Sequence, residues 1–187
     1  EIKQNEQSNA GTSNDGLATF YSSYVNSTGG DVGRGDANIN TTFYNSFDAT
    51  DKRKTELIYQ GDGAKSGLFT KKWSDYFGNI PVARLTEQYL IRAESNFRLS
   101  TNVGATPESD INALRQRAGL PNIVPTLAII LNEREKELAF EGFKLHDYKR
   151  TKRSIATFAY NDPKLVFPIP DREINANKAL VQNPGYQ

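Results

Sequence analysis

From Arg84 to Leu99 the apolar residues Leu85, Tyr89, Ala93 and Phe97 fall four positions apart. That interval lines up one side of an α-helix, so a helix with this stripe buried is predicted here. The Ala93-x3-Phe97 step is also a fragment of the tetratricopeptide pattern. Thr106 precedes Pro107, a capping residue followed by a proline suited to a first helical turn. The helix they open buries Ile111, Leu114 and Ala118 and stops at Gly119, ahead of Pro121. A third helix starts after Pro125 with Thr126 as its cap and runs through Leu127, Leu131, Arg134 and Leu138. A break is expected near Gly142, with helix resuming over 144–153. Residues 164–170 read as extended, 171–177 as a helical turn, and the remainder as a polar tail.

Before Ile80 the pattern changes. Residues 1–7 suit a short strand. Residues 8–50 are dense in Gly, Asn, Ser, Thr and Asp, with Phe20, Tyr21, Tyr24, Phe43, Tyr44 and Phe47 scattered among them. A loop of this length in a compact domain is uncommon and often functional. Residues 54–59 and 68–73 read as two strands of a hairpin around the turn-rich 60–67. The organisation predicted is a loop-rich part with short strands over 1–79 and a helical part with an extended tail over 80–187. Two helix pairs at most are visible, whereas a helical repeat array needs three or more units to bury its faces. The helices are therefore expected to pack on an N-terminal portion outside this sequence. The alternative is a small self-contained domain, and a large exposed apolar patch would favour the first reading.

Composition narrows the chemistry. The 187 residues suit one domain or a large piece of one, and 37% hydrophobic content is enough for a core. With 23 basic against 22 acidic residues, no global field draws the chain to nucleic acid or anionic lipid. The absence of cysteine excludes disulfides, thiolate-bound zinc, iron–sulfur clusters and thiol catalysis. A single histidine, His146, rules out a His-rich metal site and would have to serve any Ser/His/Asp triad. No run approaches the roughly 20 apolar residues that cross a bilayer. With no methionine in the chain, an N-terminal portion outside this sequence is expected, and any signal peptide or lipid-attachment cysteine is expected on it. No cofactor is expected.

Several motifs carry two readings. Glu133, Glu137 and Glu141 line one side of a helix; paired carboxylates can do acid–base work or hold metals, or they can be partners for Arg134, Lys136 and basic residues of a neighbouring helix. His146-Asp147 would be a catalytic pair only if the two side chains met, yet adjacent helical residues point about 100° apart. The run 61–67 resembles a phosphate loop superficially but lacks a glycine directly before Lys65 and Ser66, so a hairpin loop is the better reading. Arg34-Gly35-Asp36 carries no weight by itself. Asn26-Ser27-Thr28 and Asn40-Thr41-Thr42 fit the glycosylation rule, which matters only in a eukaryotic secretory pathway. The loop aromatics have sugar-binding chemistry: C–H faces of a pyranose stack on aromatic rings while amides and guanidinium bond hydroxyls. Tyr21, Tyr24, Tyr44, Trp73 and Tyr76, with Asn26, Asn45 and Arg34 close by in sequence, form the candidate ligand site. Their alternative role is to anchor the loops to the body of the protein.

Four ordered segments carry a family resemblance. They are Ile80-Pro81-Val82-Ala83-Arg84 continuing to Glu94, Asn112-Ala113-Leu114-Arg115-Gln116-Arg117-Ala118-Gly119-Leu120, the stretch from Ile130 through Asn132-Glu133-Arg134-Glu135-Lys136-Glu137 to Arg150, and Val166-Phe167-Pro168-Ile169-Pro170 through Asn177 with the terminal Leu180-Val181-Gln182-Asn183-Pro184-Gly185-Tyr186. Together they resemble the SusD/RagB family, and the run 48–53 resembles that family's Asp-x-Arg step. Lys144 stands where Arg is common and Tyr148 where Leu is common. The resemblance implies a mainly α fold, with tetratricopeptide-like helix pairs, long loops and a small β-hairpin. It implies an outward-facing outer-membrane lipoprotein of the Bacteroidetes, held to the membrane only by a lipid anchor. Its partners would be a SusC-type TonB-dependent transporter and an oligosaccharide or peptide cargo, and no catalysis is implied. A helical scaffold that binds the transporter, with the ligand site outside these residues, is the competing expectation. A glycoside hydrolase using Glu133 and Glu137 is disfavoured, because carboxylates one turn apart on a helix do not flank a bond.

Overall fold

In the computed structural model, residues 1–3, 16–24, 33–62 and 65–186 are described. Asn26, the 26–28 acceptor motif, positions 4–7 of the expected first strand and positions 63–64 of the expected turn lie outside them. Two compact units are present, Glu1–Phe140 and Glu141–Gln187.

The first unit begins with short helices set in the Asn- and Thr-rich stretch: α1 (Leu17–Tyr21), α2 (Thr41–Asn45) and α3 (Lys52–Thr55). Sequence periodicity is too short to reveal them; side-chain caps start two of them. Asn40 accepts from Thr42 N at 2.8 Å and Asp51 from Arg53 N at 2.9 Å, each satisfying an otherwise orphaned amide. The hairpin follows, β1 (Ile58–Gly61) antiparallel to β2 (Gly67–Thr70), in register from Ile58 opposite Thr70 to Gly61 opposite Gly67. It is shorter than predicted, because residues expected to open its first strand are wound into α3. A side chain at Gly67 would collide with Asn38. Ile2 and Ile80 exchange both backbone hydrogen bonds, at 2.7 and 2.9 Å.

Helices α4 (Leu85–Leu99), α5 (Pro107–Arg117) and α6 (Leu127–Glu137) form the body of this unit, with α4 packed on both others. Thr106 caps α5 and Thr126 caps α6, as predicted, and Gly119 ends the second helical segment with a left-handed φ of 76°. The buried face of α4 differs from its four-residue stripe. Thr86, Leu90, Ala93, Glu94 and Asn96 are buried, whereas Leu85 is 69% and Leu99 72% exposed. Contact with two helices at once recruits positions beside the stripe, since each residue turns the helix by about 100°. The polar residues recruited have partners: Arg98 bonds Glu94 at 2.8 Å, and Asn96 Nδ2 bonds the carbonyls of Val103 and Ala105 at 3.1 and 2.9 Å. Asn112 similarly clasps both backbone groups of Ile123. Arg92 grips Asp110 with two bonds, at 2.9 and 2.6 Å, tying α4 to α5. The core contains Phe69, Leu90, Ile111 and Ile130, all without exposure, and a cluster of Ile39, Phe47 and Ile58 with Phe43, Tyr44, Leu68 and Phe140 against it.

The second unit holds α7 (Phe143–Arg150), a 3-10 turn (Pro163–Leu165) and α8 (Asp171–Ala176). Gly142 precedes α7 with φ 81°, the break expected there. His146 is exposed while Asp147 is buried and accepts from Arg150 at 2.7 Å, so the two neighbours face different surroundings. The tail returns on the extended segment: Gln182 bonds both backbone groups of Ile169 at 2.8 Å, and Asn183 bonds the Phe167 carbonyl at 2.7 Å.

Candidate functional site

Two of the three stacked glutamates are held by arginines in the interior. Arg53 binds Asp51 through two bonds, Nε to Oδ1 at 3.0 Å and NH2 to Oδ2 at 2.7 Å, and reaches Glu133 Oε2 at 2.9 Å. Arg115 donates to the other oxygen of Glu133 at 2.8 Å. Glu137 lies beside Arg117, Arg84 (3.5 Å) and Arg53 (3.6 Å). All four central residues, Asp51, Arg53, Glu133 and Glu137, are buried. Burial opposes the charge on Arg53, but its bonds to Asp51 and the fields of Glu133 and Asp51 outweigh it, so its pKa is raised. These carboxylates face guanidinium groups of α5 and the 53 and 84 positions, which is the neighbouring-helix part of the structural reading; Arg134 of their own helix lies 3.6 Å from Glu87.

The candidate ligand residues divide into two neighbourhoods. In one, Tyr21 ends α1 edge-on to Phe20 (5.0 Å between centroids) and to Phe140 (6.0 Å), and burial raises its phenol pKa. Phe140 also meets Phe43 at 6.3 Å, and its carbonyl accepts from Trp73 Nε1 at 3.0 Å. Tyr44 packs against the Ile39–Phe47–Ile58 cluster with the Lys54 ammonium 4.3 Å from its ring centre. Asn45 is exposed at the end of α2, and Tyr76 is half-buried after the hairpin. In the other neighbourhood, Tyr24 is 45% exposed with Lys65 Nζ 5.8 Å from its ring centre. Lys65 bonds Asp36 (2.6 Å) and the Arg34 carbonyl (2.9 Å), and Arg34 bonds Asp36 at 3.1 Å while its guanidinium lies over Phe20 at 5.3 Å. Hydrogen bonds from Lys65 and then Arg34 hold the Asp36 pKa below the usual carboxylate range.

A further recess of about 350 Å³ opens beside the ion-pair core, where α3, the hairpin and the ends of α5 and α6 meet. Phe47, Leu57, Ile58 and Phe140 supply apolar wall, and Lys52, Arg53, Lys72, Arg84, Arg117 and Lys136 supply cations. The Asp51-x-Arg53 step is its one visible signal in the sequence; Lys72 falls in the predicted strand 68–73, and Lys136 reads as a charge partner for the glutamates of its helix. Among the described residues no cluster of His, Asp or Glu could hold a metal, and no helix is long and apolar enough to cross a membrane.

The architecture is that of a mainly helical, tetratricopeptide-like protein with a small antiparallel hairpin. The chain belongs to the SusD family, whose pattern matches residues 40–164 and 151–186. It is 30% identical over 169 residues to the starch-binding protein SusD of Bacteroides thetaiotaomicron, an alignment taking in 73% of this chain and 28% of that protein. The surface glycan-binding protein A of Bacteroides thetaiotaomicron, solved in complex with laminarihexaose, shares the fold with a TM-score of 0.77 and 24% identity, over 90% of this chain and 46% of that one. A laminarin-binding SusD-like protein gives a TM-score of 0.64 and 26% identity over 80% of this chain and 38% of that one. The chain thus spans less than half the length of these relatives.

Proposed function

We propose that this chain is part of a glycan-binding subunit of an outer-membrane uptake system, presenting oligosaccharide to a SusC-type TonB-dependent transporter. In this reading the whole protein is an outward-facing lipoprotein and performs no catalysis. Membership of the SusD family supports glycan binding, together with relatives described as starch-binding and laminarin-binding. The observation that carries the assignment to these residues is the half-exposed Tyr24 ring beside the Arg34–Asp36–Lys65 cluster. An open aromatic face bordered by charged hydrogen-bonding groups matches the alternation of C–H and hydroxyl on a pyranose. Tyr21, Tyr44, Trp73, Tyr76 and Asn45 form the second neighbourhood of the proposal, with Tyr21 and Trp73 serving mainly to hold the loops in shape. Glu133 is buried and bonded through both oxygens to arginines, which takes it out of reach of a scissile bond.

Calorimetric titration of the chain with starch- and laminarin-derived oligosaccharides and with short peptides tests the reading. Saturable binding of an oligosaccharide that Tyr24→Ala removes supports it. Peptide binding alone, or oligosaccharide binding that Tyr24→Ala leaves unchanged, overturns the assignment. A second reading, a scaffold that binds protein, is favoured by the exposed Leu85 and Leu99 of α4. Transporter capture by the chain with no response to any sugar would select it.

A further inference from the structure

Lys136 is 93% buried, with a relative exposure of 7%, and lines the recess beside the ion-pair core. Its ammonium stands 5.1 Å from the Phe47 ring centre. Among the described residues no oxygen accepts a hydrogen bond from it, whereas every neighbouring cation of the core is bonded. Arg53 and Arg115 have their carboxylates, Arg84 bonds the Glu137 carbonyl at 3.1 Å, and Lys72 bonds the carbonyls of Glu137 and Ala139 at 2.8 and 3.0 Å. An ammonium has three donors, and with no protein acceptor among the described residues they are left to the recess that Lys136 lines. Burial lowers its pKa and Arg53 adds to that, against the opposing fields of Glu133, Asp51 and Asp48.

The recess surrounding Lys136 has a matching sign and size. Six cationic residues line it against Glu56 and Glu137, and the positive excess survives when Asp51 and Glu133 behind the wall are included. Its roughly 350 Å³ is at the lower end of small-ligand pockets, enough for one sugar-sized ring. Apolar wall from Phe47, Leu57 and Phe140 suits the C–H face of such a ring, and Lys136 stands where one anionic group would end.

We propose that this recess binds a ring-sized molecule through one oxyanion group, a carboxylate or a sulfate ester, which accepts hydrogen bonds from Lys136 while Lys52 and Arg117 at the rim provide attraction. An acidic sugar, a uronic acid or a sulfated hexose, is the ligand class that combines these parts. The site is distinct from the Tyr24 region and does not depend on neutral glycan binding there.

Titration of the chain with glucuronate, glucose 6-sulfate and glucose, each against the wild type, Lys136→Met and Tyr24→Ala, provides the test. The expected result is saturable binding of at least one acidic sugar, no binding of glucose in the recess, and a loss of tenfold or more in Lys136→Met. Raised salt should weaken the interaction. The preferred acid identifies carboxylate or sulfate as the source. Binding of neither acid, equal binding of glucose, or unchanged affinity in Lys136→Met overturns the proposal. Because Lys136→Met keeps the side-chain length and removes an unbonded charge, it should fold; a urea transition at or above the wild-type midpoint confirms this. Tyr24→Ala should leave acid binding intact, so failure of this site and failure of the oligosaccharide reading give different patterns.

Discussion

Arg53 donates to Glu133 at 2.9 Å across 80 positions of sequence, with both side chains almost fully buried. The bond joins the short α3 to α6 and places Arg53 between Asp51 and Glu133. Replacing Arg53 with Met should therefore destabilise the chain strongly, by about 3–5 kcal/mol, because Asp51 and Glu133 would lose a buried partner. Urea unfolding measures the loss. Adding Glu133→Leu should deepen the loss, since Asp51 stays without its guanidinium and Arg115 then loses its carboxylate as well; a double variant more stable than Arg53→Met would contradict that account.

The Asn112 clasp on Ile123 gives a second expectation. Asn112→Ala leaves the amide and carbonyl of Ile123 without their side-chain partners, a cost of about 1–3 kcal/mol. Thr106→Ala removes only a helix cap and should cost about 1 kcal/mol. Thermal or urea midpoints of the two variants should rank in that order.

Lys136 should make stability depend on alkaline pH. The folded chain releases this proton below the unfolded value of about 10.4, because burial lowers the folded pKa. Between the two values the unfolded chain binds more protons, so stability rises with pH in that window. Below the folded pKa the penalty of a buried charge is fully present. Lys136→Met should accordingly be more stable than wild type at pH 7, and the difference should shrink towards pH 10. A constant difference across that range would mean that Lys136 does not titrate this way.

The aromatic residues should separate by what they do. Trp73→Phe forfeits the bond to the Phe140 carbonyl and should cost about 1 kcal/mol of stability. Tyr24→Ala, at a half-exposed ring, should change stability by less than about 0.5 kcal/mol while abolishing oligosaccharide binding. Parallel unfolding and binding curves distinguish anchor from platform.

Sequence alone determined the elements whose signals lie within a few residues. Thr106 and Thr126 cap their helices because a side-chain oxygen needs only the amide three positions on. Ile111, Leu114 and Ala118 declared a buried face by helical spacing, and the hairpin followed from a turn between two apolar runs. The ordered family segments gave the family itself. What sequence could not convey depends on chain segments meeting. The stripe at Leu85, Tyr89, Ala93 and Phe97 marks a helix but not which arc two neighbours will cover, so the buried face centred instead on Leu90 and Ala93. Lys136 reads along the chain as a partner for Glu133 and Glu137, and only the meeting of the hairpin with α6 puts it and Lys72 on one recess. Only the tertiary structure decided that Glu133 meets Arg53, and that Lys136 lines a recess with no oxygen of the described residues accepting from it, because electrostatic partnership depends on distance in space and periodicity records only distance along the chain.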